Sequence, residues 1–394
     1  MDILFLSKDI LFPLDSGGKI RTSNILRYLN KEFNVDIISL LDPEEEKYIP
    51  KMQRLCRKLI YIRNRKFKKN GFQFYSRIIK NLFSPYPFTM MNDYNPALYE
   101  KIHKIANRYD LLVCDFLFPA LNCLDVKIPK VLFQHNVEFM ISKRNFEKTL
   151  WPKKIIWFLQ YIKTKRMEKI ITQKFDYVIC VSENDKSIHE KEFGVRNVDY
   201  VDLGVNLKQF NNNNSKRERK SLVFTGGMDW TPNDDAVKYF HDNIFPKLEG
   251  FKFYCVGKKP SDSLRKLNNK YFIITGRVID IKPFLFEKEI YVVPLRSGSG
   301  TRIKIFEAMA AKIPVVSTTI GAEGLPVKHG KNILIGDTPK EFANAIIKLD
   351  SDPELYNKIT NNAYKLVKES YSWGEISRKF INICRKVGSK RKKY

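Results

Sequence analysis

The chain alternates between short apolar runs and helix-period segments, and this restricts it to parallel sheets covered by helices. "MDILFLS" reads as a strand, "KDILFPLDSGGKIR" as a loop, "SNILRYLNKEF" as an apolar-periodic helix and "NVDIISLL" as a second strand. "YDLLVCDF", "PKVLFQHN" and "FDYVICVS" continue the series as buried strands, and Ser182 opens a Ser-x-x-Asp helix start. The polar stretch Asn206 to Ser221, "NLKQFNNNNSKRERKS", interrupts the pattern. It restarts at "SLVFTGG" and runs through "FKFYCVG", "YFIITGR", "EIYVVPL" and "IPVVSTT". The expected organisation is therefore one doubly wound domain over residues 1–205, a linker over 206–220, a second such domain over 221–370, and a final helix with a basic tail over 371–394. A chain of 394 residues has room for two such cores.

Composition narrows the setting. Six scattered cysteines form no CxxC pair and mostly lie in apolar runs, as expected of reduced, buried thiols in a cytoplasmic protein. The start lacks a basic n-region, and no run approaches the roughly 18 apolar residues of a spanning helix. The formal charge of +27 favours an anionic partner: nucleic acid, an anionic membrane surface or a phosphorylated ligand. Lysine spread over a solvated surface would give the same total. The cluster Arg57 to Asn70, "RKLIYIRNRKFKKN", interleaves aromatics with cations as a segment lying on a membrane would. No recognisable nucleic-acid motif accompanies the charge, so no nucleic-acid partner is expected.

Chemistry concentrates in "RSGSGTRIKIFEAMAAKIPVVST", Arg296 to Thr318. The loop Ser297 to Thr301 follows a strand and precedes a helix, which is where open α/β sheets bind ligands. Gly298 and Gly300 let backbone N–H groups approach an anion, flanked by Ser299 and Thr301. The helix start adds partial positive charge, and Arg302 and Lys304 add two full charges. Glu307 is placed to accept hydrogen bonds from vicinal hydroxyls such as those of a ribose. Taken alone, Gly-Ser-Gly also suits an ordinary turn, and Lys304 with Glu307 an ordinary surface pair.

"EAMAAKIPVVSTTIGAEGL" resembles the signature of the retaining GT-B glycosyltransferases of family 4, also called glycosyl transferases group 1. "PLDSGGKIRTSNIL" resembles that family's first glycine-rich loop, with Gly17 and Gly18 before the first helix and Arg21 in its first turn. "FQHNVEF" resembles the strand end carrying a histidine near the transferred sugar, here His135, followed by Asn136 and Glu138. "LVFTGGMDWTPNDDAVKYF" resembles the first C-domain strand and its loop in a bacterial polysaccharide-type subgroup, with Gly226 and Gly227. Gly276 and Arg277 fall where the family's loop meets the nucleotide base, and "YSWGEISRKFINICRKV" resembles the terminal helix that crosses back onto the first domain.

The resemblance covers nearly the whole chain. It implies an α/β GT-B fold: two Rossmann-like doubly wound domains facing a central cleft, with a C-terminal crossover helix. It implies a retaining, metal-independent hexosyl or glycosyltransferase with no cofactor beyond a nucleotide diphosphate sugar co-substrate. The acceptor implied is a saccharide or lipid-linked saccharide, in cell-surface polysaccharide or glycan biosynthesis. The implied location is cytoplasmic and peripheral on the inner face of the membrane. The sequence departs from the pattern at Ser299, where many members carry the first of two glutamates. It departs again at "GGMDWTPN", where many carry an Arg and a Lys. Arg302 and Lys304 are then the local cations for the leaving diphosphate. A polyanion-binding protein on the same scaffold, or a nucleotide-sugar epimerase, are the alternatives from composition and fold.

Overall fold

The computed structural model describes residues 1–65, 72–210, 216–297 and 302–390. The chain divides into two compact units, Met1–Asp202 with Ile376–Tyr394, and Leu203–Glu375.

In the first unit the apolar runs form strands β1 (Asp2–Leu6), β2 (Asn34–Leu41), β3 (Lys58–Arg63), β4 (Leu111–Asp115), β5 (Lys130–Phe133), β6 (Tyr177–Cys180) and β7 (Val198–Tyr200). They make a seven-stranded sheet in the order β3-β2-β1-β4-β5-β6-β7, and all its pairs are parallel. β1, β4 and β5 are buried almost throughout, as parallel strands covered on both faces are, and so read as unbroken apolar runs. The helix Trp373–Gly388 belongs to this unit from Ile376 onward. Its Phe380 meets Phe133 edge-on at 5.0 Å, and Phe380, Cys384 and Val387 are fully buried.

In the second unit β8 (Glu218–Thr225), β9 (Lys252–Val256), β10 (Phe272–Gly276), β11 (Lys288–Val293), β12 (Val315–Ser317) and β13 (Leu334–Ile335) form a six-stranded sheet. Its order is β10-β9-β8-β11-β12-β13, again parallel throughout. Both sheets thus reverse direction beside their first strand, between β1 and β4 and between β8 and β11. Loops leaving the carboxyl ends of strands at such a switch point frame a crevice.

One local reading is corrected and a second is given its place in the fold. β8 begins at Glu218, three residues before the expected Ser221. Glu218 accepts hydrogen bonds from Lys252 (3.0 Å), Lys288 (2.7 Å) and Tyr254 (2.8 Å); burial works to raise its carboxyl, and these donors together outweigh it and hold it down to about 2. What looked like an exposed charge cluster is a polar knot that extends the strand. The described part of the basic segment Arg57 to Asn70 is ordered as part of the sheet. Lys58–Arg63 is edge strand β3, Arg57 binds Asp36 and Asp2 at 2.8 Å each, and Arg63 binds Glu46. Residues 66–70 of that reading lie outside the described residues. No helix of the described residues is long and apolar enough to cross a membrane.

Candidate active site

Each switch point carries a cluster of polar side chains, built differently. In the first unit the helix Gly17–Glu32 starts behind Ser16, whose hydroxyl accepts from the Lys19 amide. Gly17 and Gly18 are therefore the first two residues of this helix, not a loop before it. A Cβ on Gly18 would lie 2.6 Å from the Phe116 ring, so the helix start approaches that ring as only glycine allows. Phe116 itself has φ +73, a sparsely populated region for a residue with a Cβ. In this conformation its ring stacks on His135 at 4.0 Å.

His135 follows β5 and is buried with both ring nitrogens engaged. Nε2–H donates to Asp115 Oδ1 at 2.8 Å, and Nδ1 accepts from the Arg21 guanidinium at 3.3 Å. The Thr22 hydroxyl donates to the same carboxylate at 3.0 Å. Burial pushes the His135 pKa below 6.5 despite Asp115, leaving a neutral ring with a fixed tautomer. Burial also brings Arg21 down to about 10, opposed by the charges of Asp185, Asp202 and Asp115.

The loop carrying His135 is held by a residue that sequence reasoning did not single out. Glu168, fully buried, accepts from the Glu138 and Phe139 amides at 3.0 and 2.8 Å and from Gln134. It caps the helix Glu138–Lys148, whose own N-cap, Val137, offers no side-chain acceptor. Burial raises the Glu168 carboxyl to about 8. Gln134 in turn is bonded to buried His189 at 3.0 Å.

In the second unit a cavity of about 640 Å³ opens where β8, β9 and β10 end. Gly226, Gly227, Lys258, Arg277, Lys304 and Glu307 are among its walls. The loops after β8 and β9 touch: a Cβ on Gly257 would fall 1.6 Å from the Gly226 carbonyl oxygen. Asn233 ties the first of these loops to the helix Ile303–Ala310. It donates to Gly227 O at 2.8 Å and accepts from Lys304 Nζ at 2.9 Å. The Lys304 ammonium also sits 4.2 Å from the Phe224 ring centroid.

Burial, reinforced by the charge of Arg302, lowers Lys304 to about 7. Burial raises Glu307 to about 7, with Lys304 opposing the shift. Both groups are thus poised near neutrality inside a concave site. Such a pair gains from a ligand that supplies an anion to one and hydroxyl donors to the other.

The structure therefore brings Gly226, Gly227, Arg277, Lys304 and Glu307 to one cavity, with Gly276 closing β10 just before Arg277. Arg302 stands at the head of the same helix, buried, with its guanidinium 3.5 Å from Ile320 O and 6.0 Å from the Trp230 ring. His135, Gly17 and Gly18 belong to the other unit. Gly298, Ser299, Gly300 and Thr301 lie outside the described residues. Lys258 and Lys259, which follow Gly257 and line the cavity beside Asp229, were missed. Their signal was present: "VGKKP" puts a glycine and two cations directly after a strand.

Two doubly wound parallel sheets of matching order are the two Rossmann-like domains of a GT-B fold. Residues 16–209 match the family model "Glycosyltransferase Family 4" and residues 219–352 match "Glycosyl transferases group 1". The chain belongs to this glycosyltransferase family. An uncharacterised 44.6 kDa protein in the cps region of Klebsiella pneumoniae is 22% identical over 94% of this chain and 96% of its own length. Among solved structures, sucrose-phosphate synthase from Thermosynechococcus elongatus superposes with a TM-score of 0.66 at 15% identity, covering 99% of each chain. Anabaena HepE in complex with UDP-glucose superposes at 0.63 and 14%, covering 99% of this chain and 100% of its own.

Proposed function

We propose that this glycosyltransferase moves a sugar from a nucleotide diphosphate sugar to a saccharide or lipid-linked saccharide acceptor, with retention of configuration and without a metal. The observation that carries the proposal is the cavity holding Lys304 and Glu307 beside the glycine loops and Lys258. A diphosphate fits the cation side. It would restore to Lys304 the counter-charge that burial denies, with Arg302 adding to the field. Glu307 accepts from the ribose hydroxyls. Gly298 to Thr301, which directly precede Arg302 in the sequence, are the glycine-rich stretch proposed to offer N–H groups to the phosphates.

In the reaction the bond from the anomeric carbon to the phosphate oxygen breaks and a bond to the acceptor oxygen forms on the same face. The acceptor proton passes to the leaving phosphate. Negative charge growing on that phosphate is stabilised by cations already in place. His135, whose ring is bonded through both nitrogens to Asp115 and Arg21, would act by positioning the sugar through the loop it belongs to or by screening charge, and not as a base. That HepE was solved with UDP-glucose supports a nucleotide-sugar donor, and the cps-region relative supports a role in surface polysaccharide synthesis. The family match does not favour the polyanion-binding and epimerase alternatives.

The test is thermal stabilisation by UDP, GDP, ADP, CMP and dTDP compounds with and without EDTA. Nucleotide at about a hundred times its Kd is expected to add about 2.7 kcal/mol. The shift should be selective, insensitive to EDTA and absent in Glu307→Ala. No shift with any nucleotide overturns the reading.

A further inference from the structure

Glu168, Gln134 and His189 form a buried polar chain inside the first unit, away from the donor cavity. Glu168 comes from the helix Lys153–Lys174, Gln134 from the end of β5 and His189 from the helix Glu183–Phe193. The Gln134 amide lies between the other two. Its NH₂ end meets Glu168 Oε1, and its carbonyl end is 3.0 Å from His189 Nε2. His189 Nδ1 lies 2.8 Å from the Asp185 carbonyl oxygen.

Donor and acceptor chemistry fixes the protons this chain must carry. The Asp185 carbonyl only accepts, so His189 Nδ1 bears a hydrogen. With the Gln134 carbonyl also facing the ring, Nε2 needs a second hydrogen, and an imidazolium is then paired with a Glu168 carboxylate. A half-turn of the amide, which leaves its shape unchanged, gives the other solution. The Gln134 NH₂ donates to a neutral His189, and its carbonyl accepts from a protonated Glu168. Both solutions hold the same number of protons and satisfy every contact in the chain. Removing one proton leaves two acceptors facing each other in a buried site.

Solvation chooses between the two. The ion pair would span 3.9 Å, but it takes both charges out of water. Burial raises Glu168 to about 8, reinforced by the neighbouring Glu138 carboxyl and opposed by the Phe139 and Glu138 amides. Burial also lowers His189 below 6.5, with Asp185 opposing it. Cys180, 3.6 Å from His189 Nδ1, is kept a thiol by burial and supplies no charge. The neutral solution therefore prevails. Gln134 precedes His135 in the chain, so whatever fixes its side chain also fixes the strand end that presents the histidine.

We propose that Glu168 acts as an uncharged acid whose proton, through Gln134, sets the position of His135, making Glu168, Gln134 and His189 positioning residues for the transferase site. The role this gives His135 rests on the transferase reading above; the location of the proton does not.

Spectroscopy of the full-length protein tests this. Infrared spectra near neutral pH should contain the carbonyl band of a protonated carboxyl that is missing from Glu168→Gln, and the wild type should lose it as pH rises through about 8. The chain has five histidines, so ring ¹⁵N NMR with single His→Gln variants assigns each. His189 should be neutral with its hydrogen on Nδ1, and the His135 signals should shift with the midpoint of the infrared band. Gln134→Met should keep that midpoint in the infrared and remove it from His135. An imidazolium at His189 near neutral pH, no Glu168 band, or His135 signals without this midpoint overturns the proposal. So does a His135 response that survives Gln134→Met. The wild-type histidine spectra decide the matter even where a variant fails to fold. A Glu168 proton coupled to His135, in a protein that no nucleotide stabilises, leaves this proposal standing and defeats the donor reading alone.

Discussion

At the switch point of the first sheet Asp115, Thr22, His135 and Arg21 take up one another's hydrogen bonds, and the Phe116 ring covers the histidine. At that of the second sheet Lys304 and Glu307 face an open cavity, each carrying a charge that burial opposes. One topology thus supports two electrostatic designs. The first spends most of its hydrogen bonds within itself, although Arg21 Nε is buried without a partner; the second presents Lys304 and Glu307 to an open cavity. Function therefore cannot be assigned from strand order alone, since the same topology carries different side chains at its two switch points.

Substitutions should separate the two designs. The largest effect is expected from Lys304→Ala, which should lower kcat/KM by about 10²–10³-fold, or about 2.7–4 kcal/mol of transition-state stabilisation. Its Tm should hold or rise, because a poorly solvated charge is removed. Asp115→Ala should do the reverse, costing about 3–5 kcal/mol in denaturant unfolding by stranding Thr22, His135 and Arg21 in a buried site. A Tm loss in Lys304→Ala as large as that in Asp115→Ala would erase the distinction. Gly257→Ala should cost about 1–3 kcal/mol and abolish nucleotide-induced stabilisation, since its methyl group displaces the Gly226 loop.

Two pH dependences complete the series. Diphosphate binding raises the Lys304 pKa and so takes up a proton, making affinity fall above about pH 7. Hydroxyl donors favour the Glu307 carboxylate and release its proton, making affinity fall below about pH 7. Calorimetric titration should therefore give a maximum near neutrality, and Glu307→Gln should remove the acid limb. In the first unit burial depresses His135 and His189 below 6.5, so the unfolded chain binds protons first. Stability should fall as pH drops below 6.5, and His135→Asn should reduce the slope.

The legibility of these features followed their range in sequence. Strands and helices were readable because period and punctuation are local, and Ser182 caps its helix through the Asp185 amide as its spacing suggested. The helix carrying Lys304 and Glu307 was readable because one contiguous motif encodes it. Asp115, 20 residues before His135, and Glu168, 33 residues after it, were not recognised as its supports, because only the packed sheet and helices bring them together. Glu218 was misread for a related reason: its partners Lys252, Lys288 and Tyr254 arrive from other strands. The capping box of Thr338 and Glu341 was legible in "TPKE" and passed over.

The helix Trp373–Gly388 gives the first unit a peculiar timetable. Phe133 is made in the first half of the chain, yet Phe380, which packs on it, is made almost last. A ribosome therefore completes the second unit before it delivers the final piece of the first one's core, and the nascent first sheet must wait with one apolar face unsealed. The same arrangement limits recombination. A gene fragment ending at Asp202 encodes a sheet without its last covering helix, so an exchange of first units between relatives must carry both ends of the chain together.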